Sequence, residues 1–492
     1  MNGVSFVDTS VRDAPQSLWN FGMTLPMMLP IAPVMDRVGF EAIDLIPMAG
    51  IDALPKLLEE SFWDRVRLMA RLTPNTPLIT GGVLRAFGQV PDAVLELWVR
   101  TVAKAGARRM RINDPCHDLA AIAKAIGWCS DSGMTSLVGL IFAVSPAHTD
   151  AYYAAKARAV AKAGADRIFI KDVGGLLTPE RTRTLVPKIQ RVIGGLPLEL
   201  HSHCTTGLAP IVYLEAVKLG VRYLHTAVAP LANGSSQPSI QNIRKNLRVM
   251  GIPSNIDENA LEEMTRYFTD VAKRAGKPSG APLEYDLEQY EHQMPGGMVS
   301  NFYAQVAKRG LAHRWSDLLG EMARIRGELG YPIMVTPLSQ YVGVQAILNV
   351  SGGGRYETVT DEIIHYALGH YGELAAPVDD AVMRRIEVLP RTAELRQRRS
   401  PAVTIEALRR EIGPALSDED FLSVAMSTDQ GRSARALMAR GPQRYDQDFS
   451  STPMEPVMAL LTGLARRTDL GYVQVNAEDV SLTLRTNRGR RG

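Results

Sequence analysis

Leu198-Glu-Leu-His-Ser-His-Cys-Thr-Thr-Gly207 is the stretch on which the reading of this chain turns. Leu198-Glu-Leu200 has the look of the end of a largely buried strand. His201 and His203 follow at a spacing of i, i+2, which in a strand puts both side chains on one face. Two imidazoles on one face at a strand end, followed by small polar residues and Gly207, form half of a metal site. Alone, such a pair reads equally as hydrogen-bonded core histidines. The rest of the chain weighs towards the metal, because other strand ends also carry ligand-type residues.

Working outward, residues 1 to about 235 repeat a strand-then-helix pattern. β-type runs occur at Val4–Asp8, Ala42–Ile46, Pro77–Thr80, Arg109–Asn113, Ser136–Ala143, Arg167–Lys171, Leu198–His201 and Tyr223–Val228. Amphipathic helical stretches such as Tyr152–Ala163 and Glu180–Val192 lie between them. Eight such units predict an α/β fold, a TIM (β/α)8 barrel, with an open doubly wound sheet as the alternative. No G-x-G-x-x-G follows the first strand, which disfavours the alternative.

In a TIM barrel the chemistry sits at the strand ends. The first, sixth and seventh deliver Asp13, Lys171, His201 and His203. A lysine closing the apolar run Ile168-Phe-Ile170 cannot stay charged and unpaired without a large penalty. It can pair with Asp172 or Asp13, act as a neutral amine, or react with CO2 to give a carbamate, an oxygen ligand for a metal.

Bulk composition narrows the partners. Lys and Arg total 55 against 52 Asp and Glu, a formal net charge of +3, so neither nucleic acid nor an anionic membrane is implied. Cys116, Cys129 and Cys204 form no disulfide or thiolate-metal pattern, and no run reaches transmembrane length. A cytoplasmic protein is expected. At 492 residues more than one domain is expected. From about residue 240 the pattern turns helical, with helices predicted over Asn255–Ala275, Asn301–Arg309, Arg314–Leu329, Ser339–Asn349 and Thr358–Leu368. We expect a barrel domain over 1–300, a mainly helical domain over 301–440, and a tail over 441–492 that includes one or two edge strands. His292, in Glu291-His-Gln-Met-Pro-Gly-Gly297, reads as a surface loop histidine. Thr336, just before a helix, reads on its own as a helix N-cap.

Six motifs, in order, resemble one family. They are Val11-Arg-Asp-Ala-Pro-Gln-Ser-Leu18, Ile170-Lys-Asp-Val-Gly-Gly-Leu-Leu-Thr-Pro179, His201-Ser-His-Cys-Thr-Thr-Gly207, Ser235-Ser-Gln-Pro-Ser239, Glu291-His-Gln-Met-Pro-Gly-Gly297 and Val335-Thr-Pro-Leu-Ser-Gln340. Together they resemble the carboxyltransferase of pyruvate carboxylase, the oxaloacetate decarboxylase alpha subunit and the transcarboxylase 5S subunit, of the hydroxymethylglutaryl-CoA lyase-like barrel superfamily. The resemblance implies a divalent metal, zinc or manganese, on Asp13, a carboxylated Lys171, His201 and His203. It implies substrate binding by Arg12, Gln16 and Arg85, and proton transfer by Thr336. It also implies a helical domain that closes the barrel mouth.

The implied function is a carboxyltransferase or decarboxylase that moves a carboxyl group between biotin and a small 2-oxo acid of the pyruvate or oxaloacetate kind. A biotin-independent metal-dependent aldol-type lyase or oxo-acid decarboxylase is the alternative, and a non-catalytic scaffold subunit the second. No Met-Lys-Met hairpin is present and no lysine follows Lys308. Biotin is therefore expected on a separate biotin carboxyl carrier protein, with a biotin carboxylase subunit as a further partner. The family's paired barrels imply a homodimer. Departures fall on the pocket loops. Pro15 stands where the pyruvate enzymes have His, Cys204 where they have Asp, and Ile46-Pro-Met-Ala-Gly50 and Asn113-Asp-Pro-Cys-His117 replace other loop patterns. The proposed ligands are kept while the walls differ.

Overall fold

The computed structural model describes residues 3–83, 90–352, 354–397, 403–441, 445, 472–477 and 480–485. Eight parallel strands close into a barrel in sequence order: β1 Ser5–Asp8, β2 Ala42–Asp44, β3 Leu78–Val83, β4 Arg109–Asn113, β5 Thr135–Ile141, β6 Arg167–Asp172, β7 Leu198–Ser202 and β8 Tyr223–Thr226. Pairing of β1 with β8, Val7 opposite His225 and Asp8 opposite Thr226, closes the ring and excludes an open sheet.

Every strand but β4 shifts an end by one to three residues from the sequence reading, and two of these shifts have a local cause. β3 runs on through Gly81-Gly82, which looks like a break in the sequence. Gly81 has φ +105°, and a Cβ there would stand 2.3 Å from the Arg111 carbonyl oxygen, so glycine lets β3 hug β4. β2 stops at Asp44 because only Ala42, Ile43 and Asp44 find ladder partners.

Alternation then sorts each strand. Val7, Ala42, Ile79, Leu137 and Phe169 form one buried cluster inside the barrel. Two residues beyond Ala42 and Phe169 stand Asp44 and Lys171, and Arg111 of β4 donates to Asp44. Two residues beyond Leu137 on β5 is Gly139. A Cβ there would meet Asn113 Oδ1 at 2.3 Å and the Phe169 ring at 2.9 Å, so the gap at Gly139 houses the amide of Asn113.

The helices form where the sequence supplies caps. Asp118 accepts from the backbone N–H groups of Ala120 and Ala121, Thr149 from Tyr152 and Thr178 from Arg181. Beyond the barrel lie further helices, among them Glu258–Arg274, Gly296–Lys308, Trp315–Glu328, Leu338–Ser351 and Asp361–Ala367. The helix Gly296–Lys308 starts five residues before the predicted Asn301, because Pro295 serves as its N-cap and Gly296-Gly297 enter the first turn. Met294, Phe302, Val306, Leu318, Met322, Ile325, Val342 and Ile364 belong to the apolar core of this helical region. A smaller cluster of Ile141, Ala143, Val173, Ile333 and Val335 seats the segment before Thr336 on the ends of β5 and β6.

Residues Met1–Gln443 make one compact unit and Arg444–Gly492 a second. Within the second, β9 Tyr472–Ala477 and β10 Val480–Arg485 pair antiparallel. The basic end Arg488–Gly492 lies outside the described residues. No helix among the described residues is long and apolar enough to cross a membrane.

Two buried histidines make the barrel wall acid-sensitive. His117 Nε2 accepts from the Ile141 N–H at 2.8 Å and its Nδ1 meets the Tyr152 hydroxyl at 2.9 Å. Burial, with His148 and Lys156 nearby, holds His117 down at about 3. Burial, with Arg326 and Arg181, holds His148 at about 4. Both bases bind a proton more readily unfolded, at about 6.5. Their contribution is therefore complete above pH 6.5 and lost as the pH falls towards 4 and 3. We expect the melting temperature to drop between pH 7 and pH 5, and the drop to shrink in His117→Gln; equal slopes in the two proteins would contradict this.

Candidate active site

The helix Asp13–Leu18 follows β1 and carries Asp13 and Gln16 on its first turn, with Arg12 just ahead of it. Register supplies the rest: Lys171 on β6 lies opposite His201 on β7. His203 is held by its own N–H, which donates to the Asp172 carbonyl at 3.0 Å.

These groups converge. One ligand atom each from Asp13, His201 and His203 lies within 4.8 Å of the others, and all three residues are buried. Asp13 Oδ2 is 2.9 Å from His201 Nε2 and 3.7 Å from His203 Nε2, and the two imidazole nitrogens are 3.1 Å apart. Ligands about 2.1 Å from one ion stand about 3.0 Å apart at a right angle and about 3.4 Å apart at a tetrahedral one. The observed edges span those values, so the donor set fits a divalent cation. The chemistry agrees. His203 Nδ1 lies 2.6 Å from the Ser235 carbonyl, which can only accept, so its proton sits there and Nε2 presents a lone pair. Gln237, fully buried, places its amide 3.0 Å from His203 Nε2 and 3.4 Å from His201 Nε2.

Electrostatics set the protonation states. Burial tends to raise the Asp13 carboxyl, but Arg12, 3.0 Å away, and the two imidazoles outweigh it and hold the acid well below its ordinary range. Burial keeps His201 neutral, far below 6.5. Burial, with Arg111 and Arg12 close by, brings the Lys171 amine down to about 7. No carboxylate pairs with Lys171 among the described residues, and the ion pair considered with Asp172 or Asp13 does not form. Asp172 is occupied instead by the N–H groups of Leu176 and Leu177 and by the Ser202 hydroxyl. Arg111 donates to Asp44, and Arg12 reaches the other oxygen of Asp44 at 3.5 Å.

A cavity of about 360 Å³ opens above. Arg12, Asp13, Gln16, Asn113, Lys171, His203 and Thr336 line its polar floor; Phe21, Pro47, Met48, Ile51, Met298, Val335 and Met426 are among its apolar lining. Thr336 is not an N-cap. Pro337 takes that place, and the Thr336 hydroxyl faces Met298 Sδ at 3.1 Å, free to turn towards the cavity. His292 is not a surface loop residue either. It ends the helix Glu288–His292, is buried, and accepts from the Met294 N–H at 3.1 Å, away from the metal cluster's donor set. Arg85 lies outside the described residues. Gln237, Glu199 and His225 were not singled out by the sequence reading. Glu199 was legible in principle, since Glu-x-His-x-His alternation puts it on the face of both histidines.

Comparison with known proteins agrees with this geometry. Residues 3–267 match the HMGL-like family model, and residues 290–459 match a conserved carboxylase domain. A pyruvate carboxylase subunit of Methanocaldococcus jannaschii is 35% identical over 86% of this chain and 76% of its own length. The chain belongs to the carboxyltransferase family of the pyruvate carboxylases. Its relatives include the 2-oxoglutarate carboxylase large subunit of Hydrogenobacter thermophilus, 28% identical over 92% of this chain and 72% of that protein. The carboxyl transferase domain of Rhizobium etli pyruvate carboxylase, solved with pyruvate, shares the fold with a TM-score of 0.79 at 23% identity, over 98% of this chain and 84% of that one.

Proposed function

We propose that this family member transfers a carboxyl group between biotin, carried on a separate protein, and a small 2-oxo acid. The observation that carries the reading is the buried Asp13, His201 and His203 cluster at the floor of a cavity that Arg12, Gln16, Lys171 and Thr336 also line. Asp13, His201, His203 and a carboxylated Lys171 would hold one divalent metal, zinc or manganese. When bound, it supplies Lewis acidity at the substrate's keto oxygen. An amine of lowered basicity with no carboxylate partner is the form that adds to CO2, which supports the carbamate.

The chain's own residues do the remainder. Arg12 offers a guanidinium to the substrate carboxylate, and Gln16, whose Oε1 is buried without a partner, has its amide free to orient the keto acid. Arg85 is proposed as a second carboxylate clamp. Thr336 would pass a proton between the substrate's methyl-derived carbon and the biotin ureido nitrogen as the carboxyl group crosses. Among the described residues its hydroxyl meets only a sulfur, a weak acceptor, so it gives up little to turn. The apolar cavity wall keeps water from the reacting groups. In this reading residues 1–300 hold the metal and the substrate, and 301–440 cover the barrel mouth and bring Thr336 to it. The biotin carboxyl carrier and a biotin carboxylase are its protein partners, and the cytoplasm is its compartment.

Four outcomes test the proposal. Purified protein should contain about one divalent metal per chain, and Lys171→Ala should lose most of it on dialysis, since a ligand is gone; unchanged metal content removes Lys171 from the ligand set. Thr336→Val keeps shape and metal, and should reduce transfer about 10²-fold or more. Avidin should block the wild type. Turnover that survives avidin and is indifferent to Thr336→Val belongs to a metal-only aldol-type lyase. Finally, Leu283, Tyr285 and Leu287 are exposed apolar side chains close together in the chain, which a second copy can cover. Sedimentation at micromolar concentration is expected to give a homodimer, and a monomer would refute it.

A further inference from the structure

One face of β7 carries Glu199 and His201, with His203 one residue past its end, and the adjacent strand β8 carries His225 between Leu224 and Thr226. The four side chains are buried. His225 Nε2 is 2.8 Å from Glu199 Oε2, and His225 Nδ1 is 3.3 Å from His201 Nδ1. Arg167 donates to the other carboxylate oxygen of Glu199 and stacks over the Tyr223 ring at 4.2 Å. His225 lies flat against Phe169, centroids 5.5 Å apart and planes at 4°.

In the metal-binding state, where Asp13 and His201 Nε2 both turn lone pairs to the ion, donor and acceptor rules assign the protons along this line. The Glu199 carboxylate, held by Arg167, can only accept, so His225 carries its proton on Nε2. A neutral His225 then has a bare Nδ1. The facing His201 Nδ1 must donate to it, which leaves His201 Nε2 without a proton. That nitrogen is the one 2.9 Å from Asp13 and 3.1 Å from His203 Nε2.

We propose that Glu199 and His225 are positioning residues that lock His201 in the tautomer whose Nε2 lone pair faces the Asp13 and His203 cluster, and so set the affinity of that cluster for a divalent metal. The proposal rests on the metal reading of the site. His203 reaches the same tautomer through a backbone carbonyl, a partner that mutation cannot easily alter. His201 depends on side chains instead, and the aromatic stack on Phe169 holds the middle ring so that its two nitrogens stay in line. Partners of this kind behind a ligand histidine are commonly worth about 10- to 100-fold in metal affinity.

The test is metal binding by the full chain after chelator stripping, read by competition with a zinc-responsive indicator. His225→Phe keeps the ring and its stack on Phe169 but accepts nothing, so His201 loses the partner that fixes its proton. Zinc affinity should fall about 10- to 100-fold. His225→Gln keeps an acceptor oxygen and should stay within about threefold of wild type. The melting temperatures of the metal-free proteins serve as the structural control, and the Gln variant decides the matter if the Phe variant fails to fold. His225→Phe that binds zinc like the wild type overturns the proposal, as does a Gln variant that folds and is weakened as much as Phe. Wild-type protein that binds no divalent metal defeats the metal reading itself, a different result from wild-type binding that His225→Phe leaves unchanged.

Discussion

Buried charge inside a closed barrel is the constraint on which this structure depends. Arg12, Asp13, Asp44, Arg111, Arg167, Lys171 and Glu199 are all buried. A lone ion there would cost several kcal/mol. The chain meets the problem by sharing partners. Asp44 lies between Arg111 and Arg12, Arg12 reaches on to Asp13, and Glu199 lies between Arg167 and His225. Lys171 stands outside this scheme, with two arginines nearby and no pairing carboxylate among the described residues. An anionic ligand or a carbamate on Lys171 would correct the local excess of positive charge.

The barrel was legible because each strand announces itself by an apolar run and each helix by its amphipathic stripe and cap. Ends were less so. Gly81-Gly82 reads as a break because a one-dimensional pattern cannot show that the neighbouring strand comes too close for any Cβ. The same limit explains the start of the helix Gly296–Lys308, where two glycines in the first turn hide the helix from propensity. The proposed metal cluster was legible because its donors sit in short motifs at strand ends. The residues behind it were not. His225 is a single histidine in an apolar strand, and only the pairing of β7 with β8, Glu199 opposite Tyr223, reveals that it faces Glu199 and His201. Register across a barrel is a tertiary property that spacing within one strand does not encode.

His292 and Thr336 make the same point in opposite directions. Each sits beside a proline or glycine in a segment that looks like a loop. His292 is drawn inward and its ring is spent on the Met294 N–H. Thr336 is held at the cavity by Val335 and Ile333, which pack on Ile141, Ala143 and Val173. The local sequence offers both residues as caps or loop polar groups. Packing decides which of them reaches the cavity.

Substrate choice then follows from where variation is affordable. The floor groups Arg12, Asp13 and His203 are bound into one charge network, so replacing any of them strands another. The walls carry no such obligation. Pro47, Met48 and Ile51 line the cavity from the segment after β2, with Phe21 from the segment after the first helix. Exchanging one apolar wall residue for another alters volume at a cost of about 1–3 kcal/mol, without orphaning a charge. Relatives named for pyruvate and for 2-oxoglutarate thus sit on one scaffold. The floor constrains the chemistry of the 2-oxo acid end, while the segments after β2 and after the first helix are free to set the size and polarity of whatever the acid carries beyond it.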